Sequence, residues 1–310
     1  MSFNIYTHPS SHLHVTPPGH PERVARIEAV DKVLADPKFA GAVRLEAPDV
    51  TNAQILRAHD EAYLELITSN VPEEGWVSID PDTHMVAESL TAARRAAGAN
   101  VAAVTDVVEG RAQAAFCGVR PPGHHAERDR AMGFCLLSSI CIGALHGIED
   151  LGLGRVAIMD FDVHHGNGTQ DIFWEDPRVL FASTHQMPLF PGTGAKGETG
   201  EGNIVNTPLD PHTGGKELRM AFEQRVLPAL AAHEPDLIMI SAGFDAHASD
   251  PLANLNWTTD DFRWATERLC ELAADKCDGR VVSTLEGGYD LDGLAESVTA
   301  HLEVLQAHAA

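Results

Sequence analysis

Short apolar runs alternate with longer alanine-rich stretches along most of the chain. The runs at 3–7, 114–117, 156–161, 179–183, 237–241 and 281–285 are continuous rather than alternating. A strand that is apolar on both faces belongs in a parallel sheet covered on both sides. The stretches at 22–35, 86–108, 134–148, 216–232, 259–274 and 291–307 carry helical patterning. Strands alternating with helices predict an α/β domain. Polar motifs follow the strand runs: RPPGHH after 117, DFDVHH after 159, STHQ after 182, GFDAH after 242 and EGGYD after 285. Open α/β sheets bind ligands beyond the carboxyl ends of their strands, so the chemistry is expected there. The motifs run from 120 to 290 with no linker, repeat or low-complexity segment, which predicts one catalytic domain over 1–310.

Charge narrows the partners. With 45 acidic and 22 basic side chains, the formal net charge is -23. That disfavours a nucleic-acid backbone and suits a cationic or lysine-rich substrate, although solubility alone also accounts for it. Five scattered cysteines without a CxxC pair fit a reducing compartment. Neither a signal peptide nor an apolar run near 18 residues is visible, so a cytoplasmic protein without membrane contact is expected.

The segment RVAIMDFDVHHGNGTQ, 155 to 170, changes the picture most. Its apolar run leads into Asp160, Asp162 and His164. In a strand, alternate side chains point the same way, so these three would project together. A second apolar run ends on Asp245. If the two strand ends are neighbours, Asp162, His164 and Asp245 can hold one divalent metal, with Asp160 a fourth candidate. Three protein ligands leave a position for water or substrate, as in catalytic sites. Carboxylates this close are costly to bury unless a cation or protons neutralise them. Mixed Asp/His ligation suits zinc, iron, cobalt or manganese better than calcium.

His124 and His125 follow a Pro-Pro-Gly turn, a plausible general acid/base pair near neutral pH. Tyr289 is either a packing residue or a hydroxyl donor to an oxyanion. Phe134 and Phe190 would by default be core residues, or else the walls of a narrow apolar channel. GTGAKGETGEGN, 192 to 203, lacks the ending of a phosphate loop and is read as no phosphate site.

Taken together, RPPGHHA, MGFC, DFDVHHGNGTQ, FPGTG, SAGFDAH, DPL and LEGGY resemble the zinc-dependent histone deacetylase superfamily over about residues 5 to 300. The resemblance implies an arginase/deacetylase-like three-layer α/β/α fold with an eight-stranded parallel sheet, and zinc at the base of a tunnel. It implies that Asp162, His164 and Asp245 bind zinc, that His124 and His125 are the catalytic pair, and that Tyr289 stabilises the transition state. By the same likeness Gly133 accepts from the substrate amide, Phe134 and Phe190 wall the tunnel, and Arg23 lies near an inner channel. Structural potassium is implied at Asp160, Asp162, His164, Ser183 and Thr184, and at a second set, Phe173, Asp176, Val179 and Asn203.

Two positions refine the likeness. Asn167, where class I members carry an aspartate beside the second histidine, resembles the class II and bacterial branch. It would support an imidazolium on His125 less than a carboxylate would, and His124 is expected to lean on Asp160. Leu252, where polyamine-selective relatives carry glutamate, resembles the lysine deacetylases. The expected activity is hydrolysis of an N-acylated amine, most of all acetyl-lysine in a protein or peptide. The alternatives are an acetylpolyamine amidohydrolase, a non-catalytic acyl-lysine reader and a dinuclear arginase-like hydrolase. The sequence leaves open the acyl group, the working base, zinc against iron(II), and homo-oligomerisation.

Overall fold

The protein, described here over residues 2–310 by a computed structural model, is built on one sheet. Its strands are β1 (Phe3–Thr7), β2 (Val43–Glu46), β5 (Ala114–Cys117), β6 (Val156–Asp160), β7 (Val179–Gln186), β8 (Ile204–Leu209), β9 (Leu237–Ala242) and β10 (Val281–Leu285). A two-stranded hairpin, β3 (Val77–Ser78) and β4 (His84–Met85), stands apart. The sheet order is β2-β1-β5-β10-β9-β6-β7-β8, and every pair in it is parallel. All its strands therefore end on one edge, and the loops after β5, β10, β9 and β6 are consecutive neighbours there.

Successive side chains feed opposite faces. In β6, Ala157 and Met159 join the core under helices Val24–Leu34, Thr259–Lys276 and Leu291–His308. Val156 and Ile158 join the core under helices Ser89–Val108 and Ser139–Glu149. Two cores on one sheet require strands apolar on both sides, the pattern read from the sequence.

All six expected strands form, and the expected eight-stranded parallel α/β architecture is the one observed. The two edge strands escaped sequence reading. β2 is Val-Arg-Leu-Glu and largely exposed. β8 mixes Asn206, Thr207 and Pro208 with its apolar residues. An edge strand buries less, so its pattern is weaker. The helix expected from 134 starts at Ser139, because 134–138 is loop beside the site. That expected over 216–232 spans Gly215–His233 with a π-helical stretch at Phe222–Val226. Among the described residues no helix is long and apolar enough to cross a membrane, and all five cysteines are free and buried.

Helix Ser89–Val108 packs closely enough that a Cβ on Gly98 would lie 1.9 Å from the Pro48 carbonyl oxygen. Backbone cannot yield there as a side chain can. Gly98→Ala is expected to lower unfolding free energy by about 1–3 kcal/mol. Gly41→Ala, with nothing within 4 Å of the new Cβ, should shift it by no more than about 0.5 kcal/mol. Denaturant midpoints of the two variants check the contrast, and equal midpoints would refute it.

Candidate active site

β6 stops at Asp160, and the chain turns instead of continuing as a strand. Asp160, Asp162 and His164 are therefore not aligned by strand pleat, which corrects the geometric argument from the sequence. Their spacing comes from carboxylates accepting from the backbone two residues on. Asp160 Oδ1 accepts from the Asp162 N–H at 3.0 Å, and Asp162 Oδ1 from the His164 N–H at 2.9 Å. Such local turns are what aspartate offers outside regular structure.

Asp245, in the loop after β9, completes the group. His164 Nδ1 lies 3.2 Å from Asp162 Oδ1 and 3.1 Å from Asp245 Oδ2. One donor atom from each of the three residues falls within 4.8 Å of the others, and all three residues are buried. The remaining carboxylate oxygens are held by the Gly287 N–H on Asp162 Oδ2 at 2.9 Å and the Val163 N–H on Asp245 Oδ1 at 2.8 Å. Burial opposes protonation of His164, yet its bonds to the two aspartates push its pKa up to about 10. The cluster thus calls for a positive charge. A divalent cation on these mixed O/N donors supplies it, and the set fits zinc.

The two histidines have opposite surroundings. His124 Nδ1 is 2.9 Å from Asp160 Oδ2, and its Nε2 is 3.7 Å from Asp162 Oδ2. Burial would lower its pKa, but the charges of Asp162 and Asp160 and the Asp160 hydrogen bond raise it well above the usual value. His125 Nδ1 is 2.7 Å from Asn167 Oδ1, whose own Nδ2 donates to Glu127 Oε1 at 2.7 Å. Burial, then the charges of His124 and His164, lower the His125 pKa well below the usual value. His125 is the neutral ring: its Nδ1–H donates to Asn167, which leaves Nε2 as an acceptor.

A cavity of about 260 Å³ leads to this group, lined by Asp82, His125, Gly133, Phe134, His164, Leu189, Phe190, Leu252 and Tyr289. Phe190 packs edge-on to His125, with ring centroids 5.2 Å apart, and Phe134 edge-on to Tyr289 at 5.9 Å. Gly133 has φ +55°, and a Cβ there would enter the His125 ring at 2.3 Å, so only glycine lets this wall close on the histidine. Its carbonyl accepts from the Cys135 thiol at 3.3 Å. Among the described residues no protein group hydrogen-bonds the Tyr289 hydroxyl. Burial, with Asp245 and Asp162 nearby, raises its pKa well above the usual value, so it keeps its proton.

Several supports were not assigned from sequence. Glu286 Oε2 accepts from the Gly123 and His124 N–H groups at 2.7 and 3.2 Å, and burial raises its pKa to about 7. Asp250 accepts from Leu252 N–H at 3.0 Å and Tyr289 N–H at 2.7 Å, tying tunnel wall to tyrosine. The arginine behind the site is Arg26, not Arg23. Arg23 precedes helix Val24–Leu34 and lines an outer groove of about 610 Å³. Buried Arg26 donates to the carbonyls of Glu286 at 2.5 Å and Gly288 at 2.6 Å, and its guanidinium lies 4.9 Å from the Tyr289 ring centroid. The i,i+4 spacing of Glu22 and Arg26, an ion pair of 3.0 Å, was the available clue.

Of the residues expected to hold a first potassium ion, Asp160 lies opposite Ser183 in the β6–β7 ladder, with Thr184 next in the strand. The second set, Phe173, Asp176, Val179 and Asn203, gathers at the start of β7.

Fold and site together place the chain among α/β amidohydrolases that work at a buried Asp/His centre. Residues 20–305 match the histone deacetylase domain, and the chain belongs to the histone deacetylase family, a zinc-dependent family of hydrolytic deacetylases. It is 40% identical over 300 residues to histone deacetylase 10, chloroplastic, of Oryza sativa, covering 90% of this chain and 68% of the relative. It is 39% identical over 253 residues to a histone deacetylase-like amidohydrolase of Pseudomonas aeruginosa, covering 78% and 65%. The crystal structure of the HDA15 HD domain superposes with a TM-score of 0.94 at 35% identity, covering 99% of this chain and 88% of that one.

Asp245→Asn is expected to abolish retention of zinc while the fold survives. Removing mere outer partners of metal ligands costs about 10–100-fold in affinity, so losing a ligand should cost more. Metal analysis after dialysis, beside a far-UV spectrum, is the check. A variant that keeps one zinc per chain would remove Asp245 from the ligand set.

Proposed function

We propose that the chain hydrolyses the side-chain amide of acetyl-lysine in proteins or peptides at one zinc held by Asp162, His164 and Asp245. The observation that carries this is the narrow cavity walled by Phe134, Phe190, Leu189 and Leu252, with His125 and Tyr289 at its inner end. Its walls suit a methylene chain, and only Asp82 brings a carboxylate to the lining. Bound zinc supplies Lewis acidity toward the acyl oxygen and makes water easier to deprotonate.

The chain's own groups do the rest. His125 Nε2 takes the proton of the attacking water, its ring oriented by Asn167. His124, charged against Asp160, offsets negative charge developing at the acyl carbon. The Tyr289 hydroxyl donates to the oxyanion. His125 then returns its proton to the leaving nitrogen as the C–N bond breaks, releasing the carboxylic acid and a neutral amine. The acid gives up its proton to the more basic amine, which leaves as a cation toward a surface of net negative charge. Gly133 holds the substrate amide through its carbonyl. A monovalent cation such as potassium at Asp160, Asp162, His164, Ser183 and Thr184 belongs to this reading. What supports it is that Asp160, fully buried, sits opposite Ser183 at the end of the ladder.

The second reading is an acetylpolyamine amidohydrolase, favoured by Asp82 at the tunnel and by the acidic balance. Turnover by zinc-loaded protein on acetyl-lysine peptides against acetylputrescine and acetylspermidine separates the two; faster turnover of the polyamines would overturn the first. With the better substrate, Tyr289→Phe should lower kcat about 10²–10³-fold with KM little changed. Near-normal kcat in Tyr289→Phe would remove the role given to its hydroxyl.

A further inference from the structure

Three backbone carbonyls at the start of β7 face a single point. They belong to Phe173, Asp176 and Val179, in the turn that joins helix Asn167–Ile172 to β7. At that point sits the side-chain amide nitrogen of Asn203, just before β8. Nδ2 donates to Phe173 O at 2.8 Å, Val179 O at 2.9 Å and Asp176 O at 3.1 Å. The Asn203 Oδ1 accepts from the Glu201 N–H at 3.1 Å. Reversing the amide would set its oxygen against three carbonyls and its NH₂ against an N–H, so the network fixes which atom points inward. Asn203 is buried, and its own carbonyl accepts from the Phe181 N–H at 2.9 Å.

Carbonyl oxygens converging on one centre are the chemistry by which proteins replace the hydration shell of a potassium ion. Here two N–H groups serve three acceptors, so one must be shared, which is a poor fit for an amide and a good one for a monovalent cation. Yet the centre of the ring is taken by a nitrogen tethered to the chain. We propose that Asn203 stoppers this cation cage: its amide stands where a potassium ion would bind, and the chain carries no ion there. The second potassium set expected from the sequence is thus replaced by a covalent substitute. Order in the 173–179 turn then does not depend on salt. This inference is independent of the substrate proposed above.

Thallium(I), a potassium mimic with strong anomalous scattering, tests it in crystals of the wild type and of Asn203→Ala. The wild type should show no anomalous peak inside the three-carbonyl ring, and the variant should show one. In solution the variant should melt lower than wild type in a tetramethylammonium salt. When potassium replaces it at equal ionic strength, the variant should gain about 5 °C more than wild type does, since any gain from the Asp160 site is common to both. A wild-type peak inside the ring, with the Asn203 side chain turned away, overturns the proposal. So does a variant with neither the peak nor the extra potassium-dependent gain, since the ring would then be no cation cage. Should Asn203→Ala not fold, Asn203→Ser takes its place, and the wild-type crystal still decides whether the ring is stoppered.

Discussion

Carboxylates buried at the carboxyl ends of neighbouring strands are what the rest of this structure answers to. Asp160, Asp162, Asp245 and Glu286 are each at most 1% exposed. An isolated buried carboxylate is prohibitively costly. Asp160 accepts from the Asp162 N–H of its own loop, and the other three are met by backbone N–H groups of an adjacent loop. Glu286, after β10, takes the amides of Gly123 and His124 after β5. Asp162, after β6, takes Gly287 after β10. Asp245, after β9, takes Val163 after β6. Asp250, further along the β9 loop, takes Tyr289 after β10. Four loops are thereby pinned to one another by the same charges that attract a cation. The residual negative charge is what His124 and a metal balance.

This arrangement needs the strand order. Only because β5, β10, β9 and β6 lie side by side do their loops come within hydrogen-bond reach. The central strands were legible in the sequence because burial on both faces leaves unbroken apolar runs. The edge strands β2 and β8, half exposed or interrupted by polar residues and proline, carry no such signal. The loop motifs were legible for a related reason. Histidines, aspartates and glycines crowded after an apolar run have no core role to explain them.

What stayed hidden at the site is what acts through long-range contact. Asp250 stands in the sequence only as the first residue of the DPL motif, with nothing local to show what it holds, yet it ties Leu252 and Tyr289 together. Arg23 and Arg26 are equally arginines on the page. Only helical phase separates them, because residue 26 faces the sheet beside residue 30, while residue 23 precedes the first turn. The convergence of Asp160, Asp162 and His164 was anticipated from strand alternation but arises from side-chain-to-backbone turns. A spacing of two residues does not reveal which of the two backbones produces it.

The histidine pair shows how partners divide a task between identical side chains. A carboxylate beside each ring would favour two imidazolium ions whose ring centroids lie 4.0 Å apart, a repulsive state in a buried site. Asp160 beside His124 and a neutral amide beside His125 break that symmetry. The charge settles on His124, and its field depresses the His125 pKa further. Asn167 can only accept from Nδ1–H through its oxygen, since its nitrogen is committed to Glu127. That commitment fixes the tautomer that leaves Nε2 free toward the tunnel. In the proposed reaction the neutral partner thus keeps His125 able to take a proton, while His124 holds the charge the site requires.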